Sequence, residues 1–223
     1  MSLVAAAVCP HPPLLVPEVA AGAAGELDDL RAACRAAVAR LNNASVDLLI
    51  VVGADTTTVR RIPPFGGTLF PWGIDLPVGD PSGEQLPLSL LIGAWLAPDA
   101  GNFQSVAADA APEECAALGR ALAGEAERVG LLVLGDGSAC RTEKAPGYFD
   151  PRAEAFDAAV ASALAKADAA GLAAIDPGEA AELLAAGRAP WQVLAGAAGR
   201  PMTGELLYDS APYGVGYFVA SWV

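Results

Sequence analysis

Short apolar runs alternate along this chain with segments in which apolar residues recur every three or four positions. Residues 3–8, 46–52 and 130–134 are nearly continuous apolar runs of strand length, a pattern typical of strands that a sheet buries on both faces. Between the first two runs, residues 26–42 predict an amphipathic helix, with acids near its start and arginines toward its end. Strand, helix and strand predict a βαβ unit with parallel strands and a right-handed crossover.

The rest of the pattern predicts further helices and strands and one long irregular segment. Helices are expected at residues 87–96, 113–128, 151–170, 178–186 and 190–199. Strands are expected at residues 104–108 and twice within 205–223, around a turn at 211–214. Residues 61–87 are rich in glycine and proline, and they predict a long excursion with one short strand at 67–70.

These elements predict an α/β fold, a single domain over residues 1–223. We expect a mostly parallel central sheet flanked by helices, with the C-terminal strands adding to the sheet. Composition agrees with a folded chain, because 54% of its 223 residues are hydrophobic and only 17% are charged.

The net charge limits the classes of binding partner, and the spacing of the cysteines indicates the cellular compartment. A net charge of −13 with only two lysines argues against nucleic acid and against an anionic membrane surface. No apolar run predicts a transmembrane helix, and a signal peptide is not expected. The four cysteines are far apart in sequence, which favours reduced thiols in the cytoplasm over disulfides or a zinc site.

His11, the only histidine, is the first candidate for chemistry. It follows the first strand directly and lies among Pro10, Pro12 and Pro13, which cannot continue a sheet. An imidazole held rigidly at a strand's carboxyl end suits a ligand of a metal or a general base. A histidine that only hydrogen-bonds within a turn is the alternative, and the sequence leaves it open.

Two aspartates follow the second and third apolar strands. Asp55 and Asp136 should emerge at the same sheet edge as His11, where open α/β sheets bind ligands. One imidazole and two carboxylates predict a divalent metal site, since carboxylates suit Mg²⁺ and Mn²⁺ and imidazole suits Fe²⁺ and Zn²⁺. Aspartates beside glycine, threonine and serine also cap turns, so both interpretations stay open.

Other groups near this edge suggest weaker alternatives. The amides of residues 135–138 are candidates to cradle an anion. Cys9 or Cys140 could act as a nucleophile with His11 as its base, as in a hydrolase, although Cys9 also suits a small buried residue. Arg141 and Glu143 could bind a carboxylate substrate or pair with each other.

Two motifs, in order along the chain, resemble those of a known family. The first is Pro-His-Pro-Pro at 10–13, and the second is Gly-Asp-Gly-Ser-Ala at 135–139 followed by Gly-Tyr-Phe-Asp-Pro at 147–151. Together with the strand ending near Asp55, they resemble the class III extradiol ring-cleavage dioxygenases of the catalytic subunit-B type, and the Memo-like proteins of the same fold. The resemblance spans nearly the whole chain.

The resemblance implies non-haem Fe(II), an aromatic catechol-like substrate and a homodimer. The family holds iron with two histidines and a carboxylate and uses a further histidine as acid/base. Only His11 carries over; Asp55 stands near the second histidine position, and Ala139 stands at the acid/base position. We expect Ser138, Arg141 and Tyr213 to contact the substrate.

Two functions therefore remain open, and the sequence does not decide whether the chain is an enzyme. One is a diverged, metal-dependent oxidoreductase with an altered site around His11 and Asp55. The other is a catalytically inactive relative that binds a small molecule, or a protein, in the same crevice.

Overall fold

A seven-stranded sheet and a smaller three-stranded sheet organise the structure, a computed structural model that describes residues 2–80 and 82–223. The strands are β1 (Ser2–Cys9), β2 (Leu48–Asp55), β3 (Val59–Arg61), β4 (Phe65–Thr68), β5 (Pro77–Gly79), β6 (Glu84–Gln85), β7 (Phe103–Ala107), β8 (Arg128–Leu134), β9 (Gly204–Ser210) and β10 (Tyr217–Trp222). The α-helices are α1 (Pro17–Ala20), α2 (Asp28–Asn43), α3 (Leu88–Leu96), α4 (Pro112–Ala123), α5 (Ala153–Lys166), α6 (Ala169–Ala173), α7 (Pro177–Glu182) and α8 (Arg188–Ala197). Short 3₁₀ helices cover Pro13–Leu15, Ala21–Leu27 and Phe70–Trp72.

The large sheet is mixed, with a parallel centre. Its order is β3-β7-β2-β8-β1-β10-β9. The four central strands β7, β2, β8 and β1 are parallel, while β3, β10 and β9 pair antiparallel at the two edges. The predicted α/β class, the mostly parallel sheet and the addition of the C-terminal strands are therefore confirmed. The first two predicted strands are parallel, but β8 lies between them.

Helices cover both faces of the large sheet because its central strands are apolar on both sides. Trp191, Phe218 and Trp222 lie in the core between the sheet and α4, α5 and α8. The opposite core packs α2 and α3 against the sheet and includes Phe65 and Phe103, whose ring centroids are 4.5 Å apart. Strands buried on both faces explain why their sequences read as continuous apolar runs.

The excursion differs most from its prediction. The strand expected at 67–70 is β4, which lies two residues earlier, and it pairs with β5 and β6 in a sheet of its own. Glycine permits this close packing, because a Cβ at Gly66 would lie 2.5 Å from the carbonyl oxygen of Asp80. The preceding β3 joins the large sheet beside β7.

Helix ends also differ from their predictions, for local reasons. The helix expected over 113–128 ends at Ala123, and β8 starts at Arg128. The helix expected over 151–170 ends at Lys166, because Ala167 adopts a positive φ of 51°. Asp168 then accepts a hydrogen bond from the Gly171 N–H and begins α6.

The described helices do not include one long and apolar enough to cross a membrane.

Candidate functional site

Three strands end level with one another at the carboxyl edge of the sheet. Cys9 at the end of β1 pairs with Leu134 at the end of β8, and Leu134 also pairs with Gly53 near the end of β2. This register carries His11, Asp55 and Asp136 to the same edge. The predicted edge is confirmed, and what each side chain contacts there decides its chemistry.

His11 is nine-tenths buried and rests against Asp136. Its backbone N–H donates a 2.8 Å hydrogen bond to Oδ1 of Asp136. The imidazole Nδ1 lies 3.6 Å from the same oxygen and forms no hydrogen bond with the described residues. Burial raises the pKa of Asp136, an effect that the proximity of His11 opposes. Asp136 thus anchors the backbone at His11 and lies beside the imidazole without a hydrogen bond to it.

Asp55 is already paired. Its Oδ1 accepts the Thr56 N–H at 2.7 Å, and its Oδ2 accepts from the guanidinium of Arg61. Arg61 also forms an ion pair with Glu84 of the small sheet. The carboxylate of Asp55 therefore ties the excursion to the sheet edge.

A cleft of about 500 Å³ lies beside these residues. We call it the His11 cleft, and it is lined by His11, Ala54, Asp55, Thr56, Leu88, Ser89, Ala108, Asp109 and Ala186. Ser89 lies in the first turn of helix α3 and donates a 2.7 Å hydrogen bond to the carbonyl oxygen of Ala54. Gly53 permits this approach, since a Cβ there would lie 2.5 Å from Oγ of Ser89.

The donors at the cleft do not fit the metal site that the resemblance implies. Within residues 2–80 and 82–223, no three histidine, cysteine, aspartate or glutamate side chains are grouped as ligands for one ion. Asp55 is engaged by Arg61, and Oδ1 of Asp136 is engaged by the His11 amide. A metal held by all three side chains would have to share the carboxylate of Asp55 with Arg61 and that of Asp136 with the His11 amide.

Ser138 and Arg141 belong to a separate, internal cluster around Asp157 of helix α5, which we call the Asp157 cluster. The N–H and Oγ of Ser138 each donate to the Asp157 carboxylate at 2.8 Å. Nη1 of Arg141 donates to it at 3.1 Å. Ser138 has no exposed surface, which corrects the expectation that it contacts a substrate. Neither residue lines the His11 cleft.

Tyr213 also lies outside the cleft. Its hydroxyl donates to Oε2 of Glu26 at 2.9 Å, and burial together with this bond raises the pKa of Tyr213. The predicted pairing of Arg141 with Glu143 is replaced by contacts of Arg141 with Asp157 and, at 4.0 Å, with Glu154.

The loop after β8 cannot cradle an anion. The amides of Gly135, Gly137 and Ala139 donate to the carbonyl oxygens of Cys9, Gly216 and Leu183, respectively. The Ser138 amide is taken by Asp157. The phosphate-loop interpretation is therefore wrong, because the chain itself occupies three of the four amides at 135–138. Ala139 is itself buried.

The cysteines do not form a nucleophile–base pair with His11. A hydrogen bond with Cys34, together with burial, raises the pKa of the Cys9 thiol well above its ordinary value. Cys140 is buried, with its Sγ 3.5 Å from the carbonyl oxygen of Leu183, and burial raises its pKa as well. Both thiols are buried and contact Cys34 or backbone carbonyl oxygens rather than His11, and raised pKa values disfavour the thiolate, so the structure does not support the hydrolase alternative.

Sequence reasoning missed Asp157, Ser89, Asp109 and Arg61. Asp157 had a readable signal, because it shares a helical face with the buried Val160, Ala161 and Leu164. A carboxylate on such a face needs a partner. The other three had no local signal, since only the packing of separate elements brings them to the cleft.

Comparisons with known proteins support the fold alone. No family model matches the chain, and no curated protein matches it. Among solved structures, it is similar to the crystal structure of uncharacterized protein JW3007 from Escherichia coli K12, with a TM-score of 0.55 and 14% identity over 99% of each chain. At this identity the likeness establishes a shared architecture. The predicted iron, substrate class and homodimer stay predictions.

Proposed function

We propose that the chain is a small-molecule-binding protein, a diverged relative of the class III extradiol dioxygenases whose His11 cleft binds an organic ligand without a metal. His11 is the principal hydrogen-bonding group for that ligand. A cleft of about 500 Å³ at the carboxyl ends of parallel strands is a usual place and size for such a site.

The observation that carries the proposal is the unsatisfied imidazole of His11. Asp136 lies beside Nδ1 and favours the tautomer that carries its proton there. Nε2 is then an acceptor, and no described side chain or backbone group donates to it. The buried imidazole nitrogen without a partner is Nδ1, whereas Nε2 is the nitrogen accessible from the cleft. A ligand that donates to Nε2 replaces a hydrogen bond from water and gains about 1 kcal/mol net.

Binding fits these residues better than ring cleavage does. The acid/base position implied by the resemblance is Ala139, whose methyl group cannot transfer a proton. The carboxylates that would complete an iron site are engaged by Arg61 and by the His11 amide. What remains is a preformed cleft with an oriented acceptor.

Catechol is a suitable first probe, since its hydroxyls can donate to an imidazole acceptor and its ring suits the resemblance. Chelator-treated wild-type protein is titrated with catechol and followed by NMR chemical shifts, beside His11→Ala and Tyr213→Phe. Tyr213 is the matched control, because its hydroxyl bonds Glu26 outside the cleft. We expect saturable binding that His11→Ala weakens at least about fivefold, the worth of one hydrogen bond of about 1 kcal/mol, and that Tyr213→Phe leaves unchanged.

The same titration, repeated anaerobically with one equivalent of Fe²⁺, separates the two open functions. Equal catechol affinity with and without Fe²⁺ supports the metal-free account. Binding that requires Fe²⁺, together with iron retained by wild type and lost by His11→Ala, would replace it with the metal-dependent oxidoreductase. Equal binding by wild type and His11→Ala would remove His11 from the site.

A further inference from the structure

A second concavity of about 600 Å³ adjoins the His11 cleft. We call it the Leu184 hollow, and it is lined by Ala108, Asp109, Pro177, Gly178, Ala180, Ala181, Leu184, Ala185, Ala186 and Arg188. Ala108, Asp109 and Ala186 line both spaces. The two spaces therefore meet at the turn that follows β7, and a ligand long enough to cross this turn reaches both.

The Leu184 hollow has an apolar lining, and one of its lining residues has a strained backbone conformation. Helix α7 and the loop after it contribute seven of the ten lining residues, four of which are alanines and one of which is Leu184. Leu184 adopts a φ of 53° and leaves 52% of its surface exposed. Leucine rarely adopts this left-handed conformation, which glycine or asparagine takes at less cost. Backbone strain that holds an exposed apolar side chain beside a cleft points to a binding role.

The charges around the junction disfavour an anionic ligand. Asp109 is exposed, and it forms no ion pair with the residues at 2–80 and 82–223. Arg188 is buried, and its guanidinium donates to the carbonyl oxygens of Ala108 and Ala110 and to Gln192. Arg61 is shared by Asp55 and Glu84. The carboxylates thus outnumber the available cations, in a chain of net charge −13.

We infer that the His11 cleft and the Leu184 hollow together bind an amphipathic amine, with its ammonium group between His11 and Asp109 and its hydrocarbon chain along Leu184. This inference rests on the proposed function and specifies its ligand class. The ammonium donates to Nε2 of His11 and offsets the charge of Asp109. The chain removes the exposed surface of Leu184 and the surrounding alanines from water.

Four probes of matched structure test the ligand class. Octylamine, octanol and octanoate share one tail and differ in the head, and butylamine keeps the head with a short tail. Isothermal titration calorimetry at pH 7 should give affinities in the order octylamine, octanol, octanoate, with octylamine at least about tenfold tighter than octanoate, or about 1.4 kcal/mol. Butylamine should bind at least about tenfold more weakly than octylamine, because it lacks four methylenes.

Two variants and a control test the placement. Leu184→Asn introduces a residue that tolerates positive φ, so the variant should fold. Its affinity for octylamine should fall at least about threefold, and its affinity for butylamine should not change. Asp109→Asn should reduce the preference for octylamine over octanol. Phe70→Ala removes an exposed aromatic ring from the 3₁₀ helix between β4 and β5, outside both spaces, and should change no affinity.

The outcomes separate this inference from the proposed function. Tight octanoate binding, or octylamine binding that Leu184→Asn leaves unchanged, overturns the inference. If catechol binding depends on His11 while octylamine does not bind, the inference fails and the proposed function stands. If neither catechol nor octylamine binding depends on His11, both fail.

Discussion

The carboxyl edge of the sheet carries two polar groups of residues that differ in how completely the protein satisfies them. In the Asp157 cluster, the carboxylate of a nearly inaccessible aspartate accepts from the Ser138 amide, the Ser138 hydroxyl and Arg141. In the His11 cleft, the imidazole forms no side-chain hydrogen bond with the described residues, and Asp109 forms no ion pair with them. Both regions follow a buried strand, yet the polar groups of the Asp157 cluster are paired within the protein and those of the His11 cleft are available to a ligand.

The difference teaches how to separate stabilising residues from binding residues. A satisfied buried network contributes to stability and has no free valence for a ligand. An oriented group without a partner contributes less to stability, but it is available for recognition. Substitutions in the Asp157 cluster should therefore affect folding first, whereas substitutions in the His11 cleft should affect binding first.

The largest expected effect is that of Asp157→Asn. The amide cannot accept from both donors of Ser138 and pair with Arg141, so we expect the free energy of unfolding to fall by about 2–4 kcal/mol. Urea denaturation measures this loss. Glu154→Gln, on the same helix and largely exposed, is the control and should change stability by less than about 0.5 kcal/mol. A loss below about 1 kcal/mol at Asp157 would show that the cluster is not the closed, stabilising region.

Gly187→Ala tests where the two regions join. The Gly187 N–H donates to the carbonyl oxygen of Asp136 at 2.8 Å, and a Cβ there would lie 2.1 Å from Cζ2 of the buried Trp191. Because that ring is packed on all sides, we expect a loss of about 1–3 kcal/mol in thermal or urea unfolding. Gly199→Ala meets no atom within 4 Å and is the control. Equal stability of the two variants would contradict the packing described here.

His11→Ala should cost less stability than either change. It removes no side-chain hydrogen bond, so we expect a loss of about 1 kcal/mol or less in the free energy of unfolding. Catechol affinity should nevertheless fall at least about fivefold. A stability loss comparable to that of Asp157→Asn would mean that His11 is a structural residue and would remove the distinction between the regions.

The smallest expected effect is on the pH dependence of the free energy of unfolding, to which Asp157 and Asp150 contribute with opposite signs. Burial raises the pKa of Asp157, against the hydrogen bonds from Ser138 and Arg141. The part of its contribution to stability that depends on protonation is therefore fully present below the ordinary aspartate pKa and is lost as the pH rises through the raised value, while the hydrogen bonds with Ser138 and Arg141 remain. The difference in unfolding free energy between wild type and Asp157→Asn should shrink over that window.

Asp150 gives the opposite sign and serves as the reference. Hydrogen bonds with Arg152 lower the pKa of Asp150 to about 2. Its contribution is present above the ordinary aspartate pKa of about 3.9 and is lost as the pH falls toward 2. Urea denaturation of wild type and Asp150→Asn from pH 5 to pH 2 should show curves that converge at the acid end. Parallel curves would contradict the pairing with Arg152.

The sequence predicts the sheet and its edge because the physics that fixes them is local. Continuous apolar runs identify β1, β2 and β8, and the prolines around His11 end β1. Strand ends then locate Asp55 and Asp136. The hydrogen-bonding partners of these side chains are not predictable in this way, because they lie on elements distant in sequence.

Three examples show why the rest was not predictable. Ser138 looks like a site residue until helix α5 brings Asp157 against it, 19 positions away. In the sequence, Asp55 has no evident partner, but strand β3 brings Arg61 close enough to form an ion pair with it. The Leu184 hollow exists only because α7 and its strained loop pack beside the turn after β7. Tertiary packing decides in each case which polar groups remain open.

The most direct test is a crystal structure of the chelator-treated protein with catechol. The account predicts catechol in the His11 cleft, with a hydroxyl about 2.6–3.2 Å from Nε2 of His11 and with the hydrogen bonds of the Asp157 cluster unchanged. Catechol bound elsewhere, or bound by displacing Ser138 and Arg141 from Asp157, would contradict it.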